Sequence, residues 1–200
     1  MQQTLRLQIV ARLENRNIQL PSDELLDLHE RYLQLLTKWN RTINLTSLGL
    51  EPATDEAIDR LLVEPISASS QAGSPAQVID IGSGGGSPAI PFWIQLPGAN
   101  LTMVESRSRK CAFLREAVRQ IRPGKGIALD CRFEELLARS PQLQNSADIV
   151  TVRAVRLDPQ TVQMISQLLN PAGRVFHFAD TLEISDCSTW NTRDIEAGSR

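Results

Sequence analysis

The sequence predicts an α/β fold in which a doubly wound, mostly parallel sheet follows a helical N-terminal extension. Beyond residue 75, short apolar segments rich in β-branched residues alternate with helical patterns. Strict alternation of this kind is typical of a parallel sheet with helices on both faces. The 200 residues, of which 42% are hydrophobic, are enough for one sizeable core. Because crossovers between parallel strands are right-handed, the sheet is expected to be Rossmann-like.

The part of the chain that precedes the sheet is expected to be helical. In Asp23–Asn40 apolar residues recur at three- and four-residue spacing, which predicts an amphipathic helix. Residues 1–16 predict a shorter and weaker helix, because few apolar residues support its four-residue repeat. Residues 71–75, Gln-Ala-Gly-Ser-Pro, are typical of a linker. We therefore divide the chain into a helical segment, residues 1–70, and a core domain, residues 71–200.

The core domain is predicted to contain five strands and four helices. The strands are expected at residues 77–81, 100–105, 126–130, 147–152 and 173–178. The helices are expected at residues 88–96, 108–121, 133–139 and 159–169. Ligands of such sheets bind at the carboxyl ends of the strands, where the strand order reverses. The loop after the first strand is therefore the first place to look for a site.

That loop, residues 80–88, reads Asp-Ile-Gly-Ser-Gly-Gly-Gly-Ser-Pro. Its glycines, Gly82, Gly84 and Gly86 among them, allow positive φ angles and a close approach of the backbone to a ligand. The loop lacks the Gly-Lys-Ser/Thr of a phosphate loop, and Ser87 replaces the third glycine of the dinucleotide fingerprint. Asp80 would repel a pyrophosphate but can accept a hydrogen bond from an ammonium group. The loop therefore favours S-adenosylmethionine over a phosphate-bearing cofactor.

Two further positions fit an adenosine. Glu105 ends the second strand about twenty residues after the loop, where a carboxylate can accept hydrogen bonds from both ribose hydroxyls. A salt bridge to Arg107 or Arg109 is the alternative role for Glu105. Phe133 and Glu134 follow the third strand, where side chains of such sheets reach an adenine ring, although Phe133 is equally suited to core packing.

The formal net charge of −2 conceals a local asymmetry. Residues 106–125 carry seven basic side chains and one acidic one, whereas acidic residues predominate in residues 51–64. On the predicted helix 108–121, four arginines are expected to point outward: Arg109, Arg115, Arg119 and Arg122. The residues expected to face the sheet are Ala112, Leu114, Ala117, Val118 and Ile121. The arginine face is expected to bind RNA phosphates, the alternative being a merely solvated helix face.

Several classes of protein find no support in the sequence. Three cysteines without a Cys-x-x-Cys spacing indicate neither a disulfide framework nor a zinc site. Two histidines far apart in the chain do not suggest a metal cluster or a histidine-centred triad. No apolar stretch reaches the roughly 18 residues of a membrane span, and the first 20 residues are too charged for a signal peptide. We expect a cytoplasmic monomer without a metal or a membrane partner.

Four motifs together resemble the RsmG (GidB) family. They are the loop at residues 80–91, Trp39-Asn40, Asn44-Leu45-Thr46-Ser47 and Val152-Arg153-Ala154, and the likeness covers residues 25–178. The resemblance implies a class I methyltransferase that uses S-adenosylmethionine to methylate N7 of a guanosine in small-subunit (16S) ribosomal RNA. Its partner would be that RNA or a ribosomal assembly intermediate. Within the cofactor site it implies Gly82, Ser87, Glu105, Phe133, Glu134 and, at the mouth, Arg153.

The chain departs from the family pattern in two regions. Where the family has an Arg-His pair and a Leu-Asp-Ser run, this chain has Asp59-Arg60 and Leu62-Val63-Glu64, which puts the substrate face in question. The lysine expected after the fifth strand is replaced near residues 179–180, and too few residues follow for the usual closing pair of strands. Either the chain is truncated or the sheet is incomplete.

The expected reaction asks for positioning rather than proton transfer. N7 of guanine carries an unshared electron pair and needs no general base, so catalysis would consist of holding the reactants in line. Arg153 is the candidate for this role, on the methionyl carboxylate or on guanine O6. Trp39 is expected to stack on a base or, more commonly, to join the core. Two alternatives stay open: a non-catalytic S-adenosylmethionine-binding protein of the same fold, and a methyltransferase that acts on a small molecule.

Overall fold

The computed structural model describes residues 4–178 and, as backbone only, residues 187–191. Its strands are β1 (Gln77–Ile81), β2 (Asn100–Glu105), β3 (Gly126–Asp130), β4 (Ala147–Arg153), β5 (Leu169–Phe178) and β6 (Cys187–Asn191). They form one sheet in the order β3-β2-β1-β4-β5-β6, in which β1 to β5 are parallel and β6 is antiparallel to β5. The order reverses between β1 and β4, so the loop after β1 lies at the switch point. The predicted Rossmann-like fold is confirmed.

Helices cover both faces of the sheet. They are α1 (Leu5–Asn15), α2 (Asp23–Asn40), α3 (Asp55–Ile58), α4 (Glu64–Ser69), α5 (Ala89–Ile94), α6 (Ser108–Ile121), α7 (Leu136–Arg139) and α8 (Pro159–Leu168). A π-helical turn, Asp59–Val63, joins α3 to α4, and 3-10 turns occupy Phe133–Glu135 and Pro141–Leu143. No helix in the described part of the chain has both the length and the apolar character needed to cross a membrane.

The predicted strand boundaries differ from the observed ones mainly at β5. This strand begins at Leu169 rather than at residue 173, because Asn-Pro-Ala-Gly at 170–173, a turn-like sequence, lies in a bulged part of the strand. The prediction also lacked β6, which pairs with the end of β5. Residues 179–180, where this chain lacks the lysine expected from the family, lie outside the described residues.

The N-terminal helices pack on the sheet domain rather than standing apart from it. One buried cluster combines residues of α1, α2, α5 and α6 with residues of the sheet. A second cluster combines residues of α7 and α8 with other residues of the sheet. Trp39 is partly buried, packs against the first cluster and meets Phe113 edge to face, with ring centroids 5.9 Å apart. This partly buried position fits the core-packing role, and stacking of Trp39 on a base stays a prediction. The division of the chain at residues 70 and 71 stays a prediction.

Helix α6 corrects two expectations. Ala112 is exposed, because the buried stripe of the helix runs through Cys111, Phe113 and Leu114 instead. Arg122 does not point outward: its guanidinium donates hydrogen bonds to the carbonyls of Trp93 and Ile94 at 2.8 and 2.6 Å. It also lies over the Trp93 ring, 5.2 Å from the centroid. Arg122 thus satisfies free carbonyl groups at the C-terminal end of α5, and we remove it from the expected RNA face.

Candidate functional site

The loop after β1 follows a path that requires glycine. Gly82, Gly84 and Gly86 have φ angles of +72°, +52° and +85°, a region that residues with a side chain rarely adopt. A Cβ atom at Gly82 would lie 2.8 Å from Cγ2 of Val155, and one at Gly86 would lie 2.7 Å from Cδ1 of Ile90. The glycines therefore let the loop pass close to the segments that follow β4 and begin α5.

Asp80 lies near the end of β1, and one of its carboxylate oxygens accepts no hydrogen bond. The side chain is 1% exposed, and Oδ1 accepts a 2.6 Å hydrogen bond from Oγ1 of Thr151. Oδ2 is buried and has no hydrogen-bond partner. Burial raises the pKa of Asp80 to about 6 despite the hydrogen bonds that oppose the change. Because an unsatisfied buried carboxylate oxygen is costly, this atom is suited to receive a donor from a ligand.

A cavity of about 270 Å³, which we call cavity A, opens at the carboxyl ends of the first strands. Its lining includes Gly82, Glu105, Phe133, Glu134 and Val155. The Glu105 carboxylate is fixed by two backbone groups, since Oε2 accepts from Gly84 N–H and Oε1 from Arg107 N–H, both at 2.8 Å. Each oxygen keeps a further lone pair. No ion pair of Glu105 with the Arg107 or Arg109 side chain occurs in the described structure, so the salt-bridge alternative is wrong.

A second cavity of about 570 Å³, cavity B, adjoins the same loop. The two cavities share their framework: Gly82 and Val155 line cavity A, whereas Gly85, Ser87, Arg153 and Ala154 line cavity B. The remaining polar lining of cavity B comes from Asn44, Thr46, Ser47, Glu56, Arg60, Arg107 and Lys110. Ala154 has a φ of +54°, a strained conformation for alanine that is often found at functional sites.

Arg153 lines cavity B, but most of its side chain is buried in an ion pair. Its side chain is 12% exposed and pairs with Glu64, whose carboxylate is also buried. The guanidinium donates to the Arg60 carbonyl at 2.7 Å and to Ser87 Oγ at 3.2 Å, and Nε has no partner. Burial lowers the pKa of Arg153, which Glu64 opposes. Arg153 is therefore not merely a surface residue at the end of a strand. Its expected contact with a ligand stays a prediction.

The acidic stretch at residues 51–64 is largely structural. Asp59 is buried and pairs with Arg12 and Arg16 of the N-terminal segment, which attaches α1 to the π-helical turn. Glu64 pairs with Arg60 at 3.6 Å as well as with Arg153. The sequence analysis did not predict that Glu64 pairs with Arg60 and Arg153, although the spacing of four residues between Arg60 and Glu64 was a usable signal for the first pair.

One contact attaches the N-terminal segment to the glycine loop, and a second set of contacts orders the Asn-Leu-Thr-Ser loop within that segment. Tyr32 is buried in α2, and its hydroxyl donates a 2.7 Å hydrogen bond to the carbonyl of Gly85. Asn40 organises the Asn-Leu-Thr-Ser loop: Oδ1 accepts from the amides of Leu45 and Thr46, and Nδ2 donates to the Thr46 carbonyl. Tyr32 was not predicted, because an aromatic residue on an apolar helix face gives no sign of this contact.

The outer face of α6 keeps three of its four predicted arginines. Arg109, Arg115 and Arg119 are exposed. Arg115 donates Nε to the carbonyl of Ala128 at 3.1 Å, and Arg119 pairs with Glu116 at 2.7 Å. Their binding of RNA stays a prediction.

A glycine loop at the switch point, with a carboxylate at the end of β2, defines an α/β protein of the class I methyltransferase fold. The same fold occurs in the structure of a putative protein-L-isoaspartate O-methyltransferase from Plasmodium falciparum, with a TM-score of 0.54 and 14% identity over 86% of this chain and 83% of that one. It also occurs in a putative S-adenosyl-L-methionine-dependent methyltransferase from Methanococcus maripaludis, with a TM-score of 0.52 and 15% identity over 83% and 68% of the two chains.

Sequence comparison gives the family. The model of the GidB family, described as rRNA small subunit methyltransferase G, matches residues 26–187, and the chain belongs to this family. Ribosomal RNA small subunit methyltransferase G from Stenotrophomonas maltophilia (strain K279a) is 38% identical over 145 residues, which are 72% of this chain and 63% of that protein. The protein of the same name from Synechococcus sp. (strain RCC307) is 31% identical over 76% of this chain and 65% of its own length. The chain thus spans less than two thirds of these relatives.

Proposed function

We propose that the protein binds S-adenosylmethionine in cavity A and transfers its methyl group to N7 of a guanosine in small-subunit ribosomal RNA. The observation that carries the cofactor assignment is the unsatisfied Oδ2 of Asp80 at the base of a glycine loop with positive φ angles. The RNA substrate is supported by membership of the rRNA small subunit methyltransferase G family.

Residues of cavity A fit the adenosine end of this cofactor, and residues of the adjoining glycine loop and cavity B fit its methionyl end. The free lone pairs of Glu105 would accept hydrogen bonds from the ribose hydroxyls, and Phe133 would contact the adenine beside Glu134. At the methionyl end, the cofactor's ammonium group would donate a hydrogen bond to Asp80. The cofactor's carboxylate would form an ion pair with Arg153. Gly82, Gly84, Gly86 and Ser87 would let the loop backbone lie close to the cofactor.

The reaction needs little chemistry from the protein. When bound, the cofactor supplies an electrophilic methyl carbon on a sulfonium sulfur. The N7 lone pair forms the new carbon–nitrogen bond, and the electron pair of the broken carbon–sulfur bond stays on sulfur, so no proton is moved. The protein's part is to hold N7 in line with the methyl group at the boundary of cavities A and B and to exclude water. The described residues contain no group of three or more acidic, histidine or cysteine side chains arranged to hold a metal.

A transfer assay tests the proposal against both alternatives. The purified protein is incubated with methyl-labelled S-adenosylmethionine and either naked small-subunit rRNA or assembled small subunits, and the digested RNA is analysed by mass spectrometry. We expect label in N7-methylguanosine. Tight cofactor binding without transfer to either RNA would favour the non-catalytic protein. Transfer to a small acceptor but not to RNA would favour the small-molecule enzyme.

A further inference from the structure

We propose that cavity B holds the acceptor nucleotide, with its phosphate on Arg107 and Lys110 and its base directed toward Glu56. The inference rests on the proposed function and deepens it, because it assigns the acceptor side of the same site. It also places the phosphate contacts at the first turn of α6, at one end of the helix, rather than along the outer arginine face predicted from the sequence.

The cations of cavity B divide into two groups. Arg60 and Arg153 both pair with the buried carboxylate of Glu64. In the described structure, by contrast, neither the Arg107 guanidinium nor the Lys110 ammonium makes an ion pair or a hydrogen bond, although both line the cavity. Two uncommitted cations on one wall of a cavity are suited to charge-assisted hydrogen bonds with a phosphate.

The backbone of α6 adds to the positive potential on this wall. The N-terminus of α6 has no side-chain cap and no acidic residue in its first turn. The amides of a first turn have no partner within the helix, and the helix dipole favours an anion there. The wall formed by Arg107 and Lys110 is thus favourable for a phosphate.

Glu56 on α3 gives cavity B one negatively charged side chain in addition to its cations. It is the only acidic side chain that lines cavity B among the described residues, and it is exposed. A carboxylate repels a phosphate but accepts hydrogen bonds from N1–H and N2–H of guanine. The N7 edge lies on the other side of the purine, so a guanine held by Glu56 turns N7 away from α3. The volume of about 570 Å³ lies within the usual range for small-ligand sites.

Mononucleotides separate the phosphate contact from the rest of the RNA. We would measure guanosine and 5′-GMP binding by calorimetry on the full chain saturated with S-adenosylhomocysteine. The wild type should bind 5′-GMP at least about tenfold more tightly than guanosine. The Arg107→Gln/Lys110→Gln variant should lose this preference while binding guanosine as before. Lys125→Gln, which removes one exposed positive charge beyond the far end of α6, should keep the preference.

The orientation of the base has its own readout. The wild type should prefer 5′-GMP to 5′-AMP, because adenine N1 carries no hydrogen, and Glu56→Ala should remove that preference. The proposal is overturned if Arg107→Gln/Lys110→Gln keeps the phosphate preference, or if neither guanosine nor 5′-GMP binds the wild type up to about 10 mM. Failure of the wild type to bind S-adenosylhomocysteine would count instead against the proposed function.

Discussion

Asp80, which we propose binds the cofactor, lowers the stability of the native state at neutral pH. Its carboxylate is buried with one oxygen unsatisfied, and burial raises its pKa from 3.8 to about 6. Since the native state then holds the proton more tightly than the unfolded chain, the native state binds more protons between these two pH values. Stability therefore falls as pH rises through this window and stays reduced at neutral pH.

Asp80→Asn should raise stability and lower cofactor affinity together. Removing the buried charge should increase the free energy of unfolding at pH 7 by about 1 to 3 kcal/mol, since a shift of one pKa unit corresponds to about 1.4 kcal/mol. The ammonium group of S-adenosylmethionine would lose its charged acceptor. In the wild type, affinity should also fall as the pH drops below about 6, where Asp80 takes up a proton. Urea unfolding and calorimetry at several pH values measure both effects; a variant with unchanged affinity and the wild-type pH profile contradicts the assignment of Asp80.

Gly82→Val should abolish S-adenosylmethionine binding in a protein that still folds. Valine at a φ of +72° is strained, and its Cβ would lie 2.8 Å from Val155 Cγ2 at the wall of cavity A. Gly98→Val is the matched control, because a Cβ there meets nothing within 4 Å and its φ is not in the left-handed region. Calorimetry with a thermal melt separates the two variants. A folded Gly82→Val protein with normal affinity would remove the loop from the site.

At the scale of the elements, the segment from α3 to α4 braces the site. Asp59 in its π-helical turn forms an ion pair with Arg12 of α1. Glu64, the first residue of α4, forms an ion pair with Arg153, which also donates a hydrogen bond to Ser87. Since both carboxylates are buried and paired, they support the site from behind rather than contributing an open acidic surface. The departure from the family pattern in this segment thus affects the support of cavity B.

Glu64→Ala should destabilise the protein by about 3 to 5 kcal/mol, because it leaves the buried guanidinium of Arg153 without a counter-charge. Glu51→Ala removes a carboxylate whose pair with Arg41 is exposed, and should cost less than about 1 kcal/mol. Chemical denaturation of both variants gives the comparison. Equal losses would show that the Glu64 pair is no stronger than a surface pair.

The elements were predictable from the sequence to different degrees. The limits of β1, β2, β3 and α6 follow from local periodicity, and the structure confirms them. The start of β5 did not follow, because the turn-like residues 170–173 are held in the strand by pairing with β4, which is a tertiary effect. The positions of Glu64 and Tyr32 depend in the same way on how α2 and α4 pack against the loop. Local spacing predicts the glycine loop but cannot predict the contacts that support it.

Over the whole molecule, the charge is arranged so that a net value of −2 coexists with a basic region around α6. Two buried acidic groups near the site, Asp59 and Glu64, are neutralised internally, whereas Arg107, Arg109 and Lys110 make no ion pair in the described structure. A small net charge is therefore compatible with an RNA substrate that is bound through a local surface.

Arg115→Gln/Arg119→Gln should weaken rRNA binding about equally for different sequences and lower the slope of log K against log salt by about one or two. Arg119 is partly neutralised by Glu116, so the lower value is the better expectation. S-adenosylmethionine affinity should not change, because neither residue lines cavity A. Filter binding across a salt series measures the slope. An unchanged slope would leave α6 with a solvated outer face and only its first turn facing RNA.

The most direct test of the whole account is mass spectrometry of small-subunit rRNA from cells with and without this gene. We expect one N7-methylguanosine to disappear on deletion, to return with the wild-type chain or Gly98→Val, and to stay absent with Gly82→Val. An unchanged N7-methylguanosine content after deletion, or full restoration by Gly82→Val, would contradict the assignment of this site as an rRNA methyltransferase centre.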